Sequence, residues 1–204
     1  MAYFLTKTCF IHVPKCGGRW IKRHLVSTAT ITDVEYKGTL GLKNKEHYAP
    51  TWEELGDKKP FAFLRHPITW LASLHNHRVR KRNNWQKQIP LEKIGHHDWH
   101  QFVKNVIAYP NWIYEYYVMH VGQYGNKITI GKMENIEEEL IQILKTLDEP
   151  IKSEQLKHKG KEMHRSKFAG TNSRLNSLSQ KEIDALYNSQ IKAFKTYKYT
   201  KEWK

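Results

Sequence analysis

The segment CFIHVPKCGGRWIKRHL, residues 9–25, constrains this chain more than any other. Phe10, Ile11 and Val13 form a short β-branched and aromatic run suited to a buried strand, and Pro14, with no amide to give to a ladder, ends it. Gly17 and Gly18 then allow a tight turn and a close approach of backbone to a ligand, after which Trp20, Ile21, Leu25 and Val26 recur at helical spacing. The expected order is strand, loop, helix, with the helix starting at the glycines. The first turn of such a helix presents amides without intrahelical partners and the positive end of the macrodipole, and Lys15 adds a full charge beside them. This is the chemistry of an anion site, phosphate above all.

A Walker-type loop would place the lysine after its glycines and follow it with Ser or Thr to hold magnesium. Here the lysine comes first and no hydroxyl follows. The order His12-x-Pro14-Lys15-x-Gly17-Gly18-x-Trp20 instead resembles the 5′-phosphosulfate-binding loop of sulfotransferases that use 3′-phosphoadenosine 5′-phosphosulfate (PAPS). Cys16 and Arg19 stand at two positions which that family usually fills with hydroxyls. The resemblance implies that Lys15, Cys16, Gly17, Gly18, Arg19 and Trp20 hold the 5′ end of the cofactor, largely through backbone amides. Taken alone, the loop also reads as an ordinary glycine-containing βα turn with a solvated lysine.

A second element lies downstream. Phe61–Leu64 is short, wholly apolar and preceded by Pro60, as expected of a parallel strand buried on both faces. It ends in Arg65-His66-Pro67, where a magnesium-dependent phosphotransferase would need an aspartate. A helix is expected over Ile68–Asn76, with Trp70, Leu71 and Leu74 on one face. Arg65 followed by Ser73 resembles the 3′-phosphate-binding element of the same family, Arg-x-Pro and then a serine two turns into the helix. The order of loop, arginine and serine strengthens the resemblance beyond either piece.

Between these elements, Lys45-x-His47 with Pro50 is similar to a Lys-x-His-Leu-Pro stretch of cytosolic sulfotransferases, with one extra residue before the proline. The resemblance implies that His47 acts as base toward an acceptor hydroxyl, a role suited to an imidazole titrating near ~6.5. The chain holds 12 histidines, and His47 also reads as one solvated loop residue among them.

The basic stretch Arg78–Lys87 is either a solvated face or a contact for an acidic partner. His96, His97 and His100 contain an i, i+3 pair but lack a third ligand at metal spacing, so no metal is expected. Asp98 should cap a helix that turns Trp99, Phe102, Val103, Val106 and Ile107 inward, and the aromatic stretch Trp112–Tyr124 reads as core. Lys127–Gly131 should be a third strand, leading through Glu134-Asn135 into a helix over Ile136–Leu147. That arrangement is similar to the late strand and helix of carbohydrate sulfotransferases. The stretch Lys152–Arg174 is basic and poorly periodic, and in the family a basic late loop covers the nucleotide's 3′ end, which would recruit some of Lys159, Arg165 and Lys167, Arg165 among the candidates. Ser179 with Glu182 forms a capping box for a closing helix carrying Ile183, Leu186, Tyr187, Ile191 and Phe194.

At 204 residues, one α/β domain over 1–204 is expected. The fold class implied by the resemblance is a three-layer, P-loop-kinase-like domain with a central parallel sheet flanked by helices. The net charge of +14 calls for an anionic partner. Only two cysteines are present, so reduced thiols are expected in place of a disulfide framework. No stretch combines the features of a signal peptide or approaches the ~20 apolar residues of a membrane span, and a cytoplasmic location is expected. The function implied is sulfuryl transfer from PAPS, leaving adenosine 3′,5′-bisphosphate (PAP), to a hydroxyl of a glycan or other small acceptor. Two rivals are an atypical nucleotide-dependent kinase, which lacks magnesium ligands at the expected places, and a basic nucleic-acid-binding protein. Nucleic-acid binding would explain the charge but not the ordered motifs.

Overall fold

The computed structural model describes residues 2–27, 49–81, 91–150 and 169–203. His47, Lys159, Arg165 and Lys167 lie outside the described residues. The chain is a mixed α/β protein that divides into two compact units, Met1–Arg65 with Tyr117–His164 and His66–Tyr116 with Arg165–Lys204.

The first unit is built on a four-stranded sheet: β1 (Ala2–Phe4), β2 (Thr8–Ile11), β3 (Lys59–Leu64) and β4 (Thr129–Lys132), side by side in that order. The two pairs β2/β3 and β3/β4 are parallel, as expected of the apolar runs. The sheet is nevertheless mixed and not wholly parallel, because β1 forms an antiparallel hairpin with β2. That hairpin is held from outside its own sequence. The Glu149 carboxylate accepts from the amides of Thr6 and Lys7, both at 2.9 Å, and from the Thr8 hydroxyl at 2.8 Å, while Lys58 Nζ donates to the carbonyls of Leu5 and Thr6. A three-residue strand carries too little pattern to be read, and its clamp lies more than 140 residues away.

Strand β3 starts two residues earlier than expected and includes Pro60. The register explains why this is tolerated: β2 already lies alongside at Pro60, opposite Cys9, but β4 begins only opposite Phe61, so the missing amide need not face a second strand. Helix α1 (Gly18–Ser27) follows β2, the short α2 (Trp52–Leu55) precedes β3, and a helix over Ile136–Thr146 comes after β4. Thr51 and Glu54 form the expected capping box of α2. Tyr3, Phe10, Phe61 and Phe63 of the sheet pack with Trp20, Ile21 and Leu25 of α1 and with Leu140, Ile143 and Leu144 into one core. Emptying one of these fully buried phenylalanine positions would cost about 3–5 kcal/mol.

The second unit is helical. Helix α3 (Pro67–Arg80) opens with Pro at its first position, where no amide bond is lost, and buries Trp70, Leu71 and Leu74 as expected. It runs past Asn76 to Arg80, so the start of the basic stretch is helix, and Arg78 is buried instead of solvated. Helix α4 (Trp99–Ile107) is capped by Asp98, whose carboxylate accepts from the Gln101 amide at 2.8 Å. Helix α5 (Trp112–Val121) follows, with Trp112 and Tyr116 packed on Trp70 at ring-centroid distances of 5.7 and 4.7 Å. After β4 of the first unit comes α6 (Ile136–Thr146), close to its expected span, with Glu137, Glu138 and Glu139 in its first turn. Helices α7 (Ala169–Asn176), α8 (Gln180–Ser189) and α9 (Ile191–Thr196) follow among the described residues of the second unit.

The Ser179–Glu182 capping box forms with both of its hydrogen bonds. The single closing helix expected from the apolar pattern is instead two, broken at Gln190. That side chain is fully buried and its amide is satisfied at both ends: Oε1 accepts from the Ile113 amide at 3.0 Å, and Nε2 donates to the carbonyls of Val106 and Tyr109 at 3.0 and 2.8 Å. One glutamine thus stitches the end of α4 to the start of α5, a role that apolar periodicity does not reveal.

Candidate functional site

The parallel pairing of β2 with β3 decides where the motif residues lie. Ile11 is opposite Ala62 and Leu64 is opposite Lys132, so the chain leaves β2, β3 and β4 at one edge of the sheet. In α/β sheets the carboxyl ends of parallel strands are where ligands bind. The loop of Lys15 and the side of Arg65 meet there. Burial pushes the Cys16 thiol above its ordinary range; the nearby Arg65, through its charge and backbone, and Lys15 act against that rise, and Glu134 adds to it.

Each loop residue has a defined local reason for its place. Lys15 adopts φ 65° and Gly17 φ 81°, so two positions of the turn lie in the left-handed region, which costs a lysine more than a glycine. A Cβ on Gly17 would meet Ile136 Cδ1 at 2.5 Å and Met133 Cγ at 3.4 Å, so the start of α6 closes against the loop. Gly18 needs no unusual backbone angle; a Cβ there would overlap the imidazole of His12. The Gly17 carbonyl accepts from the amides of Trp20 and Ile21 at 2.8 and 3.1 Å and so begins α1. Neither glycine has a side chain that could turn back to cap its own amide.

The other residues expected at the 5′ end are placed as follows. Cys16 is buried, and its amide turns back to the Val13 carbonyl at 3.3 Å. Arg19 is exposed on α1. Trp20 is buried against the sheet and stacks on His24, ring centroids 3.6 Å apart. Arg65 is buried, and its carbonyl accepts from the Tyr117 hydroxyl at 2.7 Å. Tyr117 reads in the sequence as one more core aromatic, and nothing in the pattern marks it as the residue that fixes the arginine's backbone. Ser73 sits half-buried on α3 of the second unit. Both cysteines are free and buried, and burial likewise pushes the Cys9 thiol up to about 12, so neither is a thiolate at neutral pH.

Among the described residues no group of three His, Cys, Asp or Glu side chains is placed to hold a metal ion. Two of the histidines of residues 96–100 have other work: His96 Nδ1 accepts from the Asp98 amide at 3.0 Å and His100 Nδ1 lies 2.8 Å from Glu182 Oε1. No described helix is long and apolar enough to cross a membrane. Comparison with family models, with curated proteins and with solved structures finds no match to this chain.

Proposed function

We propose that this protein transfers a sulfuryl group from PAPS to a hydroxyl of a glycan or similar acceptor, on a P-loop-kinase-like α/β scaffold. The observation that carries the reading is the shared edge of β2 and β3, which brings the glycine amides and Lys15 beside a strand that ends in arginine, where a magnesium enzyme would have a carboxylate. The donor set of that edge, made of amides, an ammonium and a guanidinium, fits a nucleotide phosphate.

When bound, PAPS supplies the sulfuryl group and a bisphosphate leaving group. Lys15 and the amides at Gly17 and Gly18 would hold the 5′-phosphate and stabilise charge on it. Arg65, with Ser73 and Arg165 as the resemblance implies, would hold the 3′-phosphate. His47 would take the acceptor's proton. This division of labour rests on positioning and charge stabilisation.

Thermal shift with PAP, ATP–magnesium and duplex DNA separates this reading from its rivals, since only the ligand that binds the folded state raises the midpoint. Stabilisation by PAP alone supports it, and stabilisation by ATP only in the presence of magnesium overturns it in favour of a kinase. A screen of glycan, phenol and lipid acceptors with labelled PAPS then names the acceptor, and transfer that survives EDTA is expected because Arg65 occupies the place of a magnesium ligand.

A further inference from the structure

From Lys192 to Lys204 every third residue is a lysine, and Phe194, Tyr197, Tyr199 and Trp203 fall between them. The fold sorts the two kinds. Phe194 is buried, and the rings of Phe194, Tyr199 and Trp203 gather round His66 at centroid distances of 5.3, 5.4 and 6.1 Å, so the aromatic residues fasten this segment to its own unit. Lys192 and Lys195, neighbours one turn apart on α9, are left exposed. Lys192 Nζ is held 4.0 Å from the centroid of the Tyr114 ring, and Lys93 Nζ lies 5.7 Å from that of the exposed Tyr109. One joint carries these pairs: the Asn111 amide donates to the Ser189 carbonyl at 2.8 Å, Asn111 Oδ1 accepts from the Lys192 amide at 3.4 Å, and Gln190 Nε2 donates to the Tyr109 carbonyl at 2.8 Å. Lys201 is paired with Asp184, whereas among the described residues Lys93, Lys192 and Lys195 meet no carboxylate.

The arrangement also says which anion suits it. Recognition of single phosphates by a rigid fork uses arginine, and residues 83–116 and 175–204 contain none. A nucleic-acid base needs an open aromatic face to stack on, but Tyr114 and Tyr109 each carry an ammonium over a face, and Phe194 is turned into the core. What points outward is a set of compact charges beside amphipathic rings, five lysines against one glutamate in residues 190–204, which recognises summed negative charge at a boundary between water and apolar matter. We infer that the second unit docks through this lysine–tyrosine face on an anionic lipid surface, lying against the headgroups. The inference uses residues of the second unit alone and stands whether or not the chain transfers a sulfuryl group.

The test is co-sedimentation of the full chain with phosphatidylcholine vesicles and with mixed phosphatidylcholine–phosphatidylserine vesicles at one salt concentration. Wild type should pellet with the mixed vesicles only. The double variant Lys192→Gln/Lys195→Gln should bind them about 10- to 30-fold more weakly. Lys7→Gln/Lys145→Gln removes the same charge from exposed lysines of the first unit and should stay within about twofold of wild type. Tyr114→Leu, which takes away the ring under Lys192 without changing charge, should lose about threefold, and Tyr114→Phe, which keeps the ring, should bind as wild type does. Equal losses in the two double variants would reduce the attraction to net charge and overturn the inference. So would a wild type that ignores the mixed vesicles, or one whose Lys192 and Lys195 serve a sulfated polysaccharide or single-stranded DNA more tightly than the lipid.

Discussion

Two helices of this protein start in opposite ways. Helix α1 begins in a turn of two glycines preceded by a lysine at φ 65°, with no side chain at residues 17 or 18 to cap it. Helix α3 begins with a turn that satisfies itself. His66 Nδ1 accepts from the Ile68 amide at 3.3 Å, Pro67 has no amide to satisfy, and the Thr69 hydroxyl donates to the His66 carbonyl at 3.1 Å. With Nδ1 accepting, Nε2 carries the hydrogen and donates to the Thr200 carbonyl at 2.9 Å, inside a ring of Phe194, Tyr199 and Trp203. A helix start capped by its own imidazole has fewer amides left for an anion; one built of glycine offers backbone only. Under the proposed function the first turn does ligand work and the second, already capped, does structural work.

The largest effect should come from adding a single methyl group to the first turn. Gly17→Ala forces a side chain into the left-handed region and against Ile136, combining backbone strain and overpacking of about 1–3 kcal/mol each. Urea unfolding should show a loss of about 2–5 kcal/mol. A loss below about 1 kcal/mol would mean that the turn relaxes freely, and the comparison would lose its basis.

Next in size is Arg65→Ala. If the arginine meets a nucleotide phosphate through charge-assisted hydrogen bonds, its removal should weaken PAP binding by roughly 1.5–3 kcal/mol. Equal affinity of variant and wild type by calorimetry would remove Arg65 from the site. Smaller still is His66→Ala, which deletes the cap of α3 and the bond to Thr200. It should cost about 1–2 kcal/mol of stability and leave PAP affinity where it was. Were binding to fall as it does for Arg65→Ala, the second turn would belong to the ligand site as well.

The parts of this architecture that follow from local chemistry are legible in the sequence. Pro14, Pro67 and the Asp98 and Ser179 caps act within a few residues of themselves, so the starts and stops they dictate can be read directly. The apolar run at Phe61 identifies a buried strand for the same reason. What escapes is long-range. The antiparallel β1 exists because Glu149 and Lys58 satisfy its turn, the break at Gln190 because distant carbonyls need a donor, and Arg78 lies inward because it falls on a packed helix, which the charge of its stretch does not reveal. The site divides along the same line: Lys15, Gly17 and Arg65 stand out as a pattern, whereas Tyr117 behind Arg65 and His12 over Gly18 become visible only once the chain is folded.

The last test concerns α3 itself and is silent at neutral pH. Arg174 Nε donates to His75 Nδ1 at 2.7 Å, and an arginine has no lone pair to offer, so His75 must be neutral and its Nε2–H faces the His96 carbonyl at 3.1 Å. Burial, reinforced by the Arg174 charge and only partly opposed by the backbone of His96 and His97 and by Asp98, lowers His75 from 6.5 to about 4. The unfolded chain therefore takes up this proton at a higher pH than the folded one. The contribution is fully present above 6.5 and is lost as pH falls from there toward 4. Chemical denaturation of wild type should accordingly show a plateau from pH 8 to 7 and a declining limb in acid. His75→Asn, which keeps an acceptor for Arg174 and does not titrate, should flatten that limb while changing neutral stability little. An acid limb of the same slope in the variant would assign it to other groups and show that the histidine–arginine pair of the second unit is not the proton-sensitive contact inferred from its geometry.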